Sequence, residues 1–181
     1  MGFLVVAAGV SILTTIGIVV SLLLPAIQFF REVSITEFLT GTSWTPRFQD
    51  PTFGVLPLIT GTMWTTAIAL SVSIPIGLGA AIYLSEYAST RTRKVFKPTL
   101  ELLAGVPSVV YGLFAVTFVG PVVLKEWLGI EVATFSVLAA GLVLGVMIIP
   151  TVASLAEDAM SAVPRALREA SYGLGANRMR T

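Results

Sequence analysis

Four long apolar stretches dominate this sequence and restrict the chain to a membrane-embedded, all-α fold. They cover residues 3–24, 56–84, 99–124 and 132–153, and the charged residues are concentrated between them. An α-helix rises about 1.5 Å per residue, so about 20 residues cross a hydrocarbon core of about 30 Å. The sequence therefore predicts a polytopic bundle of four transmembrane helices within one domain over residues 1–181.

The first stretch, Phe3–Leu24, is a run of 22 residues without a charge. A cleaved signal peptide is the alternative to a membrane helix. No basic residue precedes the run, and it exceeds the roughly 7–15 residues of a typical signal-peptide core. The run therefore predicts a first transmembrane helix.

The composition excludes several classes of function. Hydrophobic residues make up 55% of the chain and the mean hydropathy is +0.91, which is typical of a membrane protein. Cysteine and histidine are absent, so thiol chemistry and the commonest general base and metal ligand are unavailable. No basic run is interleaved with aromatic residues, as a nucleic-acid surface would require. We expect no metal, no cofactor, no nucleic acid and no enzymatic activity.

The segment from Pro164 to Gly175, PRALREASYGLG, predicts a short helix after the last apolar stretch. Pro164 suits a first helical position, and Gly173 or Gly175 can end the helix. One face carries Val163, Leu167, Ala170 and Leu174, while Arg165, Arg168, Glu169 and Tyr172 lie on the others. This arrangement fits a shallow groove on another protein or, equally, the surface of a membrane.

The third stretch contains an irregular sequence, GVPSVVYG, at residues 105–112. Pro98 is predicted to open this helix with Glu101 in its first turn, which would place Pro107 about 14 Å into the bilayer. A proline there frees a backbone carbonyl, and Gly105 and Gly112 leave room around it. Irregular backbone survives at membrane depth only when it is packed in protein or lines a wet cavity.

Two interpretations of this break remain open. In the first, the break lines a solute path, and the hydroxyls of Ser108 and Tyr111 face an anion together with freed backbone amides. In the second, the segment is a kinked and tightly packed helix. The residues alone do not decide between them.

Glycines and prolines predict close helix packing in two other stretches. The second stretch is expected to begin as an interfacial turn around Pro57 and to cross from Met63, with a kink or a closely packed face near Pro75. In the fourth, Gly141 and Gly145 form a GxxxG pattern, which permits close approach of another helix.

Four sequence motifs resemble known transport proteins. Glu169-Ala170-Ser171 followed by Gly175 resembles the EAA loop of ABC-importer permeases, which docks on an ATPase subunit. The stretches FLTGTSWTP at 38–46, AIYLSEY at 81–87 and GVPSVVYG at 105–112 resemble the phosphate-specific importer permeases, and the C-type subunit more than the A-type. This resemblance extends over nearly the whole chain.

The resemblance implies a machine for importing inorganic phosphate, in which this chain forms the solute path. Its partners would be a separate ATPase, a second (A-type) permease subunit and an external phosphate-binding protein. No Walker A pattern occurs in the chain, so ATP hydrolysis is expected on the partner. The implied pathway residues are Gly105, Pro107, Ser108, Tyr111 and Gly112, and the implied ATPase-coupling residues are Val163, Arg165, Leu167, Arg168, Glu169, Ala170 and Gly175.

In the resembled family the EAA loop continues to an Ile-x-Leu-Pro sequence and further membrane helices, which lie beyond Thr181. We therefore expect an incomplete permease domain, with a coupling loop at 154–181. The alternative is a truncated fragment that does not transport.

Basic residues predict the orientation. Residues 88–98 carry four and residues 154–181 carry four, against two in 25–55 and one in 125–133. The positive-inside rule then places the N-terminus, 88–98 and 154–181 in the cytoplasm of a multi-pass protein of the inner membrane. Glu86 lies at a helix C-terminus, where an anion is disfavoured, so we expect it to pair with Arg91, Arg93 or Lys94.

Two other classes of function compete with an ATP-driven permease. A secondary carrier or channel, for example for another oxyanion, predicts an ionisable residue deep within a membrane helix. Glu86 and Glu101 are both expected near the cytoplasmic ends instead. An intramembrane enzyme with a Ser108 nucleophile would need a nearby buried base, and only Glu101 is in reach along the helix.

Overall fold

The computed structural model describes residues 2–177, apart from the side chain of Arg165. Within this part the chain is helical, and its one β-type pairing is an isolated bridge between Trp44 and Phe53. The helices are α1 (Gly2–Glu32), α2 (Ile35–Thr40), α3 (Leu56–Ile82), the π-helical segment π1 (Tyr83–Tyr87), α4 (Thr90–Ala104), α5 (Ser108–Phe114), the π-helical segment π2 (Ala115–Trp127), α6 (Val137–Ser161) and α7 (Arg165–Gly173).

Four of the described helical segments are long and apolar enough to cross a membrane. They are Gly2–Glu32, Leu56–Tyr87, Ser108–Trp127 and Val137–Ser161. The prediction of an all-α polytopic membrane protein with four spans is confirmed. The chain divides into two compact units, with the boundary between Thr60 and Gly61.

In the first unit, α1 is longer than the predicted run and continues through Pro25 to Glu32. The connector between the first two apolar stretches, residues 25–55, therefore begins eight residues later than expected, because the residues from Pro25 to Glu32 contain no further helix breaker. The hydroxyls of Thr14, Thr15 and Ser21 bond carbonyls of their own helix, which satisfies them in an apolar setting.

The segment after α1 is a folded loop rather than an extended connector. Ser34 caps α2 by accepting a hydrogen bond from the amide of Glu37 at 3.1 Å. Aromatic rings of this loop and of the end of α1 pack edge to face. Phe29 and Phe30 of α1 pack on Phe38, and Phe53 packs on Phe29 and Trp44. Gly41 and Gly54 meet so closely that a Cβ added to Gly41 would lie 2.6 Å from the Cα of Gly54.

The helix α3 is continuous from Leu56, so the predicted interfacial turn around Pro57 is wrong. Pro57 is the second residue of the helix, where its missing N–H is not needed. The buried residues Ala69, Ser73, Gly77 and Ala81 recur every four positions. They form one face of α3, as a helix period requires.

The glycine-rich faces of α3 and α6 pack closely, as the sequence predicted. A Cβ added to Gly77 would lie 2.7 Å from Val152, and one added to Gly145 would lie 3.0 Å from the carbonyl oxygen of Ala69. A Cβ added to Gly141 would lie 2.8 Å from the side chain of Ile68. The GxxxG pattern therefore serves helix packing.

The predicted third span, 99–124, is divided into two separate helices. Ser89 caps α4 by accepting a hydrogen bond from the amide of Thr92, so α4 begins well before Pro98. Glu101 lies in the last turn of α4 rather than in a first turn. The helix ends at Ala104 because a residue before proline, here Val106, disfavours the helical conformation. Pro107 thus precedes the third candidate span instead of lying within it.

The fourth span is shifted towards the C-terminus relative to the prediction of 132–153. Ser136 caps α6, which continues to Ser161, so Glu157 and Asp158 lie inside this helix. A small core joins π2 and α6, formed by Ala115, Val119, Leu124, Ala139 and Val143. The predicted short helix after Pro164 is present as α7, and Gly175 follows it with a φ of +83°.

Candidate functional site

A cavity of about 450 Å³ lies beside the break between α4 and α5; we call it the break cavity. Its walls come from α3, α5, the start of π2 and the N-terminal part of α6 with the residues preceding it. The lining residues are Thr65, Ser108, Tyr111, Gly112, Ala115, Val116, Thr134, Phe135, Ser136, Val137, Ala139, Ala140, Val143, Leu144 and Met147. Helix walls around an apolar cavity with a few polar groups are typical of a small-solute site.

Three of the five predicted pathway residues, Ser108, Tyr111 and Gly112, line the break cavity. Gly105 and Pro107 do not line it but form the break itself: Gly105 ends α4, and Pro107 is the extended residue before α5. A Cβ added to Gly112 would meet no atom within 4 Å. Open space therefore adjoins the α5 wall of the cavity at Gly112.

Three hydroxyl groups that line the break cavity make hydrogen bonds to the backbone. The hydroxyl of Tyr111 donates to the carbonyl of Leu103 at 3.1 Å and so links α5 to α4 across the break. Thr65 donates to the carbonyl of Gly61 at 2.8 Å. The hydroxyl of Ser136 instead accepts a hydrogen bond from the amide of Leu138 at 3.2 Å. This bond does not use the hydroxyl proton of Ser136.

No charged side chain is present among the described residues that line the break cavity. A solute in it would meet hydroxyls, apolar walls and the N-terminal end of α6. That helix end carries a partial positive charge, which favours an anion over a cation.

Three polar residues of the cavity were not predicted from the sequence: Thr65, Thr134 and Ser136. Thr65 carried no specific signal, because a hydroxyl within an apolar helix suits helix packing equally well. Ser136 carried a usable signal, since a serine before a long apolar run is a common helix cap.

A second candidate site is α7, whose apolar stripe is exposed. The side chains of Val163, Leu167, Ala170 and Leu174 all face outwards from the described structure, and so does that of Glu169. The side chain of Arg165 lies outside the described residues. The sequence period predicted an exposed apolar face here, and such a face can bind another protein or the surface of a membrane.

Arg168 differs from its neighbours on α7 because its side chain turns inward and is only 25% exposed. Its Nη1 atom forms an ion pair with the carboxylate of Glu86, and its Nη2 atom donates to the carbonyl of Met160 at 2.7 Å. The predicted ion pair of Glu86 with Arg91, Arg93 or Lys94 is therefore wrong. That prediction considered only residues close in sequence.

Arg93 has a different role from the one predicted. Its Nε atom donates to the carbonyl of Leu84 at 3.0 Å, and its Nη2 atom donates to the carbonyl of Ser85 at 2.9 Å. A π-helical end leaves carbonyls without ordinary helical partners, and a guanidinium with several donors can satisfy them.

Lys97 joins α4 to α6. Its Nζ atom lies 2.6 Å from Oδ1 of Asp158 and 2.8 Å from Oε2 of Glu157. Hydrogen bonds from the ammonium group raise the pKa of Lys97 from 10.5 to about 12, and the bond to Asp158 contributes more than the bond to Glu157. Lys97 is therefore charged at physiological pH.

Residues 73–181 match the family described as binding-protein-dependent transport system inner membrane component. The chain belongs to this family. The match covers the C-terminal part of α3 and all later described elements, so of the residues that line the break cavity only Thr65 lies outside it.

Individual relatives agree with this family. The chain is 39% identical to the probable ABC transporter permease protein YqgH of Bacillus subtilis, over 98% of this chain and 56% of that protein. It is 32% identical to the phosphate transport system permease protein PstC of Mesorhizobium japonicum, over 93% and 56% of the two chains. For PstC of Haemophilus influenzae the identity is 37%, over 77% and 49%.

The chain thus spans about half the length of the curated relatives it matches. No solved structure matches it.

Proposed function

We propose that this chain forms part of the solute path of an ATP-driven importer of inorganic phosphate. The observation that carries the proposal is the break cavity, where the backbone break brings Ser108, Tyr111 and Gly112 against α6. Irregular backbone is tolerated in a membrane protein where it lines a wet cavity. Two of the relatives above are named phosphate transport permeases, which supports phosphate as the solute.

In this proposal the exposed stripe of α7 docks on a separate ATPase. Val163, Leu167 and Ala170 fill a groove, Glu169 and Arg165 set the register, and Gly175 allows the chain to turn away after the helix. The distribution of basic residues favours a cytoplasmic position for α7 and the N-terminus, where ATP is available. A second, A-type permease subunit and an external phosphate-binding protein complete the machine.

The break cavity places a requirement on these partners. Its described lining supplies hydroxyl donors, such as Ser108 and Ser136, but no cation. A phosphate ion with one or two charges is costly to desolvate without a compensating charge. We therefore assign that charge to other parts of the assembled transporter.

The test is a bulky substitution on the cavity wall in the assembled transporter, reconstituted in liposomes with its ATPase. Ser108→Trp should block ATP-dependent phosphate uptake by at least about tenfold, because the indole fills the cavity. Val109→Trp is the matched control: Val109 is adjacent, does not line the cavity and is exposed. Co-purification with the ATPase should be unchanged in both variants.

Normal uptake by the Ser108→Trp variant would exclude the break cavity from the solute path. Uptake that follows a proton or sodium gradient without ATP would favour a secondary carrier instead. Competition by sulfate as strong as that by unlabelled phosphate would show a broader oxyanion path.

A further inference from the structure

Arg168 belongs to the helix proposed to meet the ATPase, yet its side chain contacts Glu86 of π1 and Met160 of α6. Val163, Leu167 and Glu169 around it are exposed, while the Arg168 guanidinium turns towards the membrane helices. It uses both terminal nitrogens there, one on the Glu86 carboxylate and one on the Met160 carbonyl. A single side chain thus contacts two different structural elements.

These two elements are the ends of the helices that bound the break cavity. Glu86 lies in π1, which continues α3, and Met160 lies in the last turn of α6. The helix α3 contributes Thr65 to the cavity, and α6 contributes most of the opposite wall. An arginine at the C-terminal end of α6 also interacts favourably with the helix dipole.

The acceptor on π1 is held in place from its other side. Arg93 binds the carbonyls of Leu84 and Ser85, directly before Glu86, and the hydroxyl of Ser85 donates to the Glu86 carboxylate at 3.3 Å. Arg93 also lies 3.8 Å from Glu157 of α6, which Lys97 binds. Arg168 therefore contacts a segment whose backbone is also bonded by Arg93 of α4.

We propose that Arg168 is a positioning residue that joins α7 to the ends of α3 and α6, so that displacement of α7 moves the walls of the break cavity. This inference rests on the proposed function, since it assigns the route by which the ATPase acts on the solute path. It gives Arg168 a role distinct from that of the exposed residues of α7. Those residues bind the ATPase, whereas Arg168 transmits the movement of α7 to α3 and α6.

The test is a double-substitution cycle in the reconstituted transporter, with Glu86→Gln, Arg168→Gln and the two combined. Each single variant should lower the phosphate moved per ATP hydrolysed by about tenfold, because the Arg168–Glu86 contact is lost while the ATPase still binds. The combined variant should be no worse than the more affected single variant. Arg168→Lys keeps the charge but loses the second donor, and should give an intermediate ratio.

Arg91→Gln is the matched control, because it removes an exposed arginine from the segment just after π1. Its phosphate-to-ATP ratio and its ATPase co-purification should both equal those of the wild type. An unchanged ratio in Arg168→Gln would overturn the inference. So would loss of ATPase binding in Arg168→Gln but not in Glu86→Gln, because that would make Arg168 a contact of the motor.

A second measurement does not depend on transport. In detergent, the melting temperatures of the same four proteins should show non-additive losses for Glu86→Gln and Arg168→Gln. Additive losses would show that the two side chains do not interact and would overturn the inference. Absence of ATP-dependent phosphate uptake in the wild type, with this non-additivity intact, would instead overturn the proposed function.

Discussion

The Nζ atom of Lys97 on α4 lies 2.8 Å from Oε2 of Glu157 on α6, whose side chain is only 5% exposed. The two residues are 60 positions apart in the chain. A carboxylate so far removed from water is costly unless it is paired, and Lys97 and Arg93 provide the pairing. The contact therefore ties the helix before the break to the helix that forms the opposite cavity wall.

Replacing Lys97 with methionine should lower the free energy of unfolding by about 2–3 kcal/mol, because Glu157 loses its nearest cationic partner. Lys125→Met is the matched control, since Lys125 pairs with Glu131 at 3.2 Å but both side chains are more than half exposed. It should cost less than about 1 kcal/mol. Denaturation of the detergent-solubilised variants measures both. Equal losses would show that the burial of Glu157 does not matter.

The contribution of Lys97 should also have a defined alkaline limit. Its folded-state pKa of about 12 lies above the ordinary value of 10.5, so the stabilisation is fully present below 10.5 and is lost as pH rises through 12. The stability difference between the wild type and Lys97→Met should accordingly be constant below 10.5 and shrink above it. A difference that disappears already near neutral pH would contradict this assignment.

Gly77 and Gly79 should respond oppositely to alanine, although they lie two residues apart on α3. A Cβ at Gly77 would collide with Val152, so Gly77→Ala should destabilise the protein by about 1–3 kcal/mol. A Cβ at Gly79 meets nothing within 4 Å, so Gly79→Ala should be neutral or stabilise by up to about 1 kcal/mol. Thermal unfolding in detergent compares the two. Similar behaviour would show that α3 and α6 are not in contact at Gly77.

Ser73 lies on the same buried face of α3 and is 0% exposed, and within residues 2–177 its hydroxyl has no hydrogen-bond partner. Removing such a group by Ser73→Ala should raise the free energy of unfolding by about 1 kcal/mol. Ser71→Ala is the control, because the exposed Ser71 donates to the carbonyl of Ile68 at 2.7 Å. It should change stability by less than about 0.5 kcal/mol. A loss of stability in Ser73→Ala would show that the hydroxyl has an acceptor.

Local sequence patterns predicted the features that depend on nearby residues. The long apolar stretches predicted four candidate spans, the 3.6-residue period predicted the exposed stripe of α7, and small residues predicted the α3–α6 contact. Helix boundaries were less accurate where a capping residue sets the start: Ser89 begins α4 ahead of Pro98, and Ser136 begins α6 after the predicted start. A single hydroxyl at a cap decides such boundaries, and apolar content does not report it.

The sequence by itself determined that this chain is a helical membrane protein, because bilayer thickness and backbone hydrogen bonding leave a run of apolar residues no other stable structure. It also determined where the break occurs, since proline disfavours a helical residue before it. Only the tertiary structure decided that Arg168 pairs with Glu86, 82 positions away, and that Lys97 pairs with Glu157. The residues next to a charged residue in sequence do not identify its distant partner, because that partner depends on how the helices pack.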